Sequence, residues 1–211
     1  MTVQKLLLSS IVIICFLQNC KQTNGKRILQ EEKPSLYNFR DKFKYQTLGN
    51  FQIDTFDFES RRGYYQEADS NVFKLIFQEG DRKFIGQGYD RDYFYSWQER
   101  DTNFIEFTIL TQDESSYCNL LRYYIFDRKG KFISKFDLAS KCGDADWTFS
   151  GKGRQVDKNH FAFETVESNM KDGAMPEDEK QEGDSINYLI TIEPNGKAIK
   201  TESFNKHFKG N

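Results

Sequence analysis

From Cys118 to Cys142 the chain reads CNLLRYYIFDRKGKFISKFDLASKC, two apolar, aromatic-rich runs separated by a polar interval. Gly130 stands in that interval where a three-residue hairpin loop needs a left-handed backbone, which glycine adopts without steric cost. Aromatic-rich runs on either side of such a turn predict a β-hairpin. In the predicted register Asp127 faces Lys131.

The predicted register determines how far apart the two cysteines of this stretch lie. Continued outward, it places Cys118 opposite Ser140 and diagonal to Cys142. A diagonal pair in a regular ladder is roughly 7–8 Å apart, too far for a disulfide. A bond therefore needs a β-bulge or splayed strand ends, which the following Gly143 favours. We expect a structural Cys118–Cys142 disulfide, because the leader described below predicts export to an oxidising compartment. Two packed thiols are the alternative.

Arg122 lies on an otherwise apolar face of the predicted hairpin. The residues expected to share that face are Leu120, Tyr124, Phe126, Phe132 and Phe136. A buried guanidinium requires a partner, since an unpaired charge is costly to desolvate. We predict either a salt bridge at the margin of the sheet or a clamp for an anionic ligand.

Alternation of apolar and polar residues recurs from about Leu36 onward, which is typical of half-buried strands. Runs with this pattern include Tyr93–Trp97, Ile105–Ile109, Phe161–Thr165 and Tyr188–Ile192. Short intervals between such runs favour antiparallel neighbours. We predict an all-β single domain over residues 35–211, an antiparallel meander of about ten strands forming a curled barrel or a sandwich.

One segment breaks the alternation, between Asn169 and Ser185, where Asp, Glu, Lys and Gly dominate. It buries too little apolar area to offset the entropy lost on ordering. We predict a mobile acidic loop at about 169–185.

The amino-terminal segment carries one basic residue, Lys5, followed by an apolar run from Leu6 to Leu17. A membrane span needs roughly twenty residues, so this shorter run fits a secretory signal better. Leu17-Gln-Asn-Cys20 resembles the signal of bacterial lipoproteins, in which an apolar residue stands three positions before a cysteine that is acylated after cleavage. The resemblance implies a signal peptide over 1–19 and lipidation of Cys20. A plain secreted protein and an uncleaved anchor are the alternatives.

The polar residues 20–34 predict a tether that lifts the domain from the membrane. Surface-displayed lipoproteins resemble one another in having acidic residues soon after the cysteine, whereas Lys21, Gln22 and Thr23 follow it here. That comparison implies the periplasmic side of the outer membrane, with surface exposure as the alternative.

Two further groups are candidate binding sites. Asp144 and Asp146 stand two residues apart in a predicted loop, where they could bind a cation or sugar hydroxyls, or only cap a turn. Tyr93, Tyr95 and Trp97 alternate along one strand, so we expect them on one face. That face either packs into the core or stacks on a glycan.

Composition argues against several activities. The chain has 30 basic and 32 acidic side chains without a basic cluster, which argues against a nucleic-acid partner. Its two histidines, His160 and His207, lack metal-ligand spacing, and nucleophile motifs are absent. We predict no catalytic activity, no metal and no cofactor.

These features predict a lipid-anchored protein of the bacterial envelope, of the binding or interaction type. Its expected partners are the membrane, through Cys20, and an unidentified protein or small molecule. The alternatives are a barrel carrying a hydrophobic ligand, a glycan-binding module, and a protein-binding immunity or inhibitor factor with an acidic patch near Glu177–Glu179.

Overall fold

A computed structural model describes residues 35–53, 63–69, 76, 91–113, 117–144, 146–170 and 181–209. The predicted leader, Cys20, the tether and the acidic patch near Glu177–Glu179 lie outside these residues. No helix in the described part of the chain is both long enough and apolar enough to cross a membrane.

The described elements are one short 3-10 helix and ten strands. The helix spans Leu36–Lys42. Ser35 is its N-cap residue, and the Ser35 Oγ accepts a hydrogen bond from the Tyr37 amide. The strands are β1 (Tyr45–Gln46), β2 (Asn50–Phe51), β3 (Arg91–Gln98), β4 (Phe104–Asp113), β5 (Cys118–Asp127), β6 (Phe132–Asp144), β7 (Trp147–Gln155), β8 (His160–Met170), β9 (Gln181–Ile192) and β10 (Ala198–Lys209).

All ten strands belong to one sheet. Strands β3 to β10 follow one another as antiparallel neighbours, while β1 pairs in parallel with β3 and β2 pairs with β7. The sheet is curled but not closed, consistent with an all-β sandwich. The predicted all-β meander of about ten strands is confirmed.

The β5–β6 hairpin has the predicted turn. The Asp127 amide donates to the Lys131 carbonyl at 2.8 Å, and Gly130 has φ +79°. Two register shifts then make Ile133 and Leu138 extra residues in β6. Each β-bulge moves the pairing by one position, so Cys118 faces Cys142 directly and forms the predicted disulfide.

The same bulges correct the face predicted for Phe136. It pairs with Tyr123, not with Arg122, and its ring stacks on the Tyr123 ring at a centroid distance of 5.1 Å. Arg122 pairs with Asp137. A register shift of one residue moves a side chain to the other face of the sheet. A ladder without bulges therefore predicted the wrong face for Phe136.

A bulge in β3 also divides the residues proposed to share a glycan-binding face. Phe94 pairs with Ile109 and Ser96 with Thr108, which makes Tyr95 the extra residue. Tyr93 and Tyr95 consequently pack in one core cluster and Trp97 in the other. The expectation of a single face for all three is therefore wrong.

Two apolar clusters form the core. The first includes Phe51, Tyr123, Phe136, Phe161 and Ile190, and the second includes Leu36, Phe43, Phe94, Trp97 and Phe107. In the first cluster the Phe161 ring of β8 lies 5.3 Å from the Tyr123 ring of β5 and 5.6 Å from the Phe136 ring. These contacts between separated strands show that the sheet curls over its own face.

Strands β8 and β9 extend into the segment predicted as an acidic loop. Asn169 pairs with Glu182 and Met170 with Gln181, so strand pairing reaches further than the apolar pattern indicated. Gly183 permits this close approach, because a Cβ there would lie 1.9 Å from the Glu167 carbonyl oxygen. Strand pairing satisfies the backbone N–H and C=O groups of a polar strand, so the strand can form without apolar side chains. Residues 171–180 lie outside the described residues.

Candidate functional site: the Lys200 pocket

A pocket of about 240 Å³ opens on the curled sheet between β5–β6 and β8–β10. We call it the Lys200 pocket. Its lining residues are Leu120, Asp137, Ser140, Phe149, Phe163, Thr165, Glu167, Asp184, Ile186, Tyr188 and Lys200. The register explains their convergence, because Thr165 faces both Gly151 and Ile186 across its neighbouring strands, and Gly151 faces Ser140.

Lys200 places a cation over aromatic rings at one side of this pocket. Its Nζ lies 3.7 Å from the Tyr188 ring centroid and 4.9 Å from that of Phe163. Lys200 is exposed at the surface, but partial desolvation by its surroundings lowers its pKa, and the charge of Asp137 opposes that shift. Within the described part of the chain Lys200 forms no ion pair. Its ammonium donors therefore remain available to a ligand.

Ser140 supplies a buried hydroxyl to the pocket. The residue is 4% exposed, and its Oγ has no hydrogen-bond partner among the described residues. Gly151 lies beside it on β7, where a Cβ would approach the Ser140 Oγ to 2.4 Å. Buried polar atoms are almost always hydrogen-bonded, so this hydroxyl can bond to a polar group that enters the pocket.

Three carboxylates line the pocket, and each already accepts one hydrogen bond. Glu167 accepts from the Trp147 Nε1 at 2.7 Å. Asp184 lies 3.0 Å from the His207 Nδ1. Asp137 lies 2.9 Å from the Arg122 Nε. An ionised carboxylate has about four acceptor positions, so all three retain capacity for hydroxyl or amine donors.

Arg122, predicted to form a salt bridge or an anion clamp, lies beside this pocket through its bond to Asp137. Its side chain is 25% exposed. Burial by itself would lower the pKa of Arg122, but the facing Asp137 outweighs that effect and raises it. The guanidinium consequently stays charged and holds Asp137 in position.

The other predicted candidates lie elsewhere. Asp144 and Asp146 are exposed at the connection from β6 to β7, and Asp144 pairs with Trp147. Among the described residues no group of three or more His, Cys, Asp or Glu side chains is arranged to bind a metal. Tyr93, Tyr95 and Trp97 are all buried in the core, and only Tyr93 among the three lines another pocket, one of about 720 Å³.

Sequence reasoning missed an ion pair in the interior of the molecule. The Arg100 and Glu106 side chains are 3% and 0% exposed, and the Arg100 Nε lies 3.0 and 3.1 Å from the two Glu106 oxygens. Arg100 also donates to the Lys158 carbonyl and the Asn159 Oδ1, each at 3.0 Å. Burial raises the pKa of Tyr123 beside this pair. The pair joins the β3–β4 turn to the β7–β8 turn.

Nothing in the sequence indicated this pair or the pocket. Glu106 alternates with Ile105 and Phe107, which predicts a solvent-facing position. Lys200 and Ser140 likewise look like ordinary polar strand residues. The burial of Ser140 and the position of the exposed Lys200 on the same pocket result from distant strands that local patterns do not reveal.

Comparison with known proteins identified no relative. No family model, no curated protein and no solved structure matches the chain.

Proposed function

We propose that this chain is a lipid-anchored binding protein of the bacterial envelope, without catalytic activity, and that its ligand binds in the Lys200 pocket. The observation that carries the binding role is the buried Ser140 hydroxyl, which lacks a partner among the described residues. It lines the same pocket as Lys200, a cation with no ion pair in the described part of the chain. Binding sites typically combine apolar walls with a few such polar groups.

The envelope location is supported by the leader and by the disulfide. The junction Leu17-Gln-Asn-Cys20 at the end of the leader resembles a lipoprotein signal. The Cys118–Cys142 bond suits an oxidising compartment, because disulfides persist there and are rare in the cytosol.

The hydrogen-bond partners of the polar groups in the pocket favour a binding role over catalysis. The three pocket carboxylates are each engaged by Trp147, His207 or Arg122. A serine nucleophile needs an adjacent base, and no described base lies within hydrogen-bond distance of the Ser140 hydroxyl.

A protein-binding role is the second candidate, because β9 and β10 display apolar side chains. Leu189, Ile199 and Phe204 are exposed, and the register places all three on one face of the sheet. Exposed apolar residues grouped on one surface mark interaction sites. Replacing all three by serine should abolish partner binding under this alternative and leave ligand binding in the Lys200 pocket unchanged.

Growth with a labelled fatty acid tests the anchor. The expected result is label on the full-length protein and none on a Cys20→Ala variant. A Cys118→Ala variant is the matched cysteine control and should keep the label. An unlabelled wild-type protein, or label on the Cys20→Ala variant, would refute lipidation at this cysteine.

Mass spectrometry of small molecules retained by the purified full-length protein tests the pocket. We expect a compound that copurifies with the wild type and is lost from a Ser140→Phe variant, whose ring would occupy the pocket. A Ser203→Phe variant, changed on the exposed surface of β10, should retain it. Equal retention by the two variants would argue against this pocket as the binding site.

A further inference from the structure

We propose that the Lys200 pocket binds one neutral, polyhydroxylated ring, either a free monosaccharide or the terminal sugar of a glycan. The inference rests on the proposed binding function and specifies its ligand class. It follows from the size of the pocket, from its mixture of donors and acceptors, and from its partly exposed rings.

Size limits the ligand to about one ring. The pocket volume of about 240 Å³ lies below the roughly 300–1,000 Å³ typical of pockets for drug-sized molecules. A long lipid chain would exceed this volume, whereas a single pyranose is compact.

Polar complementarity selects hydroxyl groups. The pocket offers donors on Lys200, acceptors on Glu167 and Asp184, and a hydroxyl on Ser140 that can do both. A sugar hydroxyl also donates and accepts, so neighbouring hydroxyls on one ring can satisfy both kinds of group.

Charged ligands fit less well. An anionic ligand would meet the carboxylates of Asp137, Glu167 and Asp184, whose like charge disfavours it, although the Asp137 and Asp184 side chains are 43% and 52% exposed and solvent weakens the repulsion. A cationic ligand would meet Lys200 instead. A hydrophobic ligand would desolvate all of these groups and leave the Ser140 hydroxyl unsatisfied.

Apolar walls complete the site. Phe149 and Tyr188 line the pocket and are only partly buried. Because the Lys200 ammonium already lies over the Tyr188 ring, the apolar contact with a ligand falls mainly to Phe149. The C–H face of a pyranose is apolar and packs against such rings, while its hydroxyls point to the polar groups around them.

Trp147 is a built-in reporter of binding. Its Nε1 donates to the pocket residue Glu167, whereas the other tryptophan, Trp97, is buried in the second core cluster. A ligand that bonds to Glu167 should change the Trp147 emission. A Trp147→Phe variant should lose the signal while calorimetry still detects binding.

The test titrates the full-length protein in detergent with glucose, galactose, mannose and N-acetylglucosamine. Glucuronate, glucosamine and palmitate serve as the anionic, cationic and apolar comparisons. We expect saturable binding of at least one neutral sugar and weaker or no binding of the three comparison ligands. A glycan ending in the preferred sugar distinguishes the sources, because tighter binding than the free sugar indicates a glycan ligand.

Two pocket variants locate the site. Ser140→Ala should weaken binding about fivefold, as loss of one hydrogen bond does, and Lys200→Met should weaken it about tenfold or more. Lys206→Met is the matched control, because Lys206 is exposed and faces Ser185 on the opposite side of the sheet from the pocket. Thermal unfolding of each variant establishes that it is folded.

Binding of palmitate but of no sugar would overturn the sugar proposal while retaining a ligand-binding protein. Absence of binding by any of the seven compounds would likewise overturn it. Sugar binding unchanged in both pocket variants would overturn the location. The fatty-acid labelling experiment is independent of all three results, so failure of the anchor is distinguished from failure of the ligand assignment.

Discussion

At the scale of single residues, the buried Arg100–Glu106 pair is the most consequential charge interaction in the described structure. Burial raises the pKa of Glu106, and the facing Arg100 counters this. Taking two charges out of water costs several kcal/mol per ion, which only close pairing and further hydrogen bonds offset. Asn159 and the Lys158 carbonyl supply those further bonds to Arg100.

We predict that Glu106→Gln lowers the free energy of unfolding by about 3–5 kcal/mol, because it leaves the Arg100 guanidinium buried without a counter-charge. Urea denaturation measures the change. A Glu99→Gln variant is the matched control, since Glu99 pairs with Arg40 where both side chains are about half exposed and surface ion pairs contribute about 0–1 kcal/mol. Equal effects of the two substitutions would contradict the importance of the buried pair.

At the scale of elements, the bulged β5–β6 hairpin determines which residues meet. Without the extra residues Ile133 and Leu138, Cys118 would lie diagonal to Cys142. The disulfide closes a loop with a sequence separation of 24 residues. Cross-links of this span stabilise chiefly by restricting the unfolded chain.

The double substitution Cys118→Ala/Cys142→Ala should therefore lower the free energy of unfolding by about 3 kcal/mol. Denaturation of the wild type with and without reductant provides an independent comparison, and reductant should leave the double variant unchanged. Wild-type stability that does not respond to a reductant able to open the bond would contradict this prediction.

Glycines in β7 let neighbouring side chains approach its backbone. A Cβ at position 151 would lie 2.8 Å from the Phe163 ring and still closer to the Ser140 Oγ, whereas a Cβ at position 49 meets nothing within 4 Å. A side chain at position 151 would therefore collide with its neighbours, whereas a side chain at position 49 would not.

Gly151→Ala should cost about 1–3 kcal/mol of stability through overpacking. Gly49→Ala should be neutral or stabilise by about 0.4–1 kcal/mol, because alanine reduces the entropy of the unfolded chain. Thermal melts of both variants test the contrast. A Gly151→Ala protein as stable as Gly49→Ala would contradict the close packing at position 151.

At the scale of the whole molecule, the curl of the sheet is held partly by Ser134. Its Oγ donates to the Gly196 carbonyl at 2.8 Å and accepts from the Ala198 amide at 3.3 Å. These bonds join β6 to the turn between β9 and β10, which lies far along the sheet.

We predict that Ser134→Ala destabilises the protein by about 1–3 kcal/mol, because it leaves partly buried backbone groups unsatisfied. Ser203→Ala is the matched control. It also removes one hydroxyl bond, to the Asn187 carbonyl, but between adjacent strands at an exposed position. Hydrogen exchange at Ala198 should quicken in the first variant and stay unchanged in the second.

Local chemistry made parts of this fold predictable. Gly130 and Asp127 form the expected turn because turn geometry depends on a few neighbouring residues. The faces of Trp97 and Phe136 were not predictable, because a bulge is a property of two paired strands. The pocket itself was not predicted; of the residues next to it, only Arg122 was singled out, because its apolar neighbours showed that it needed a partner, which is Asp137.

Alternating side chains and glycine turns were sufficient to specify an antiparallel sheet, since both act through near neighbours along the chain. The Lys200 pocket depends instead on how far that sheet curls. Ser140 and Lys200 come from β6 and β10, and they line one pocket because the intervening strands bend and pair in sequence. Whether a polar strand residue faces water or a ligand is thus a consequence of distant packing, which short-range pattern does not contain.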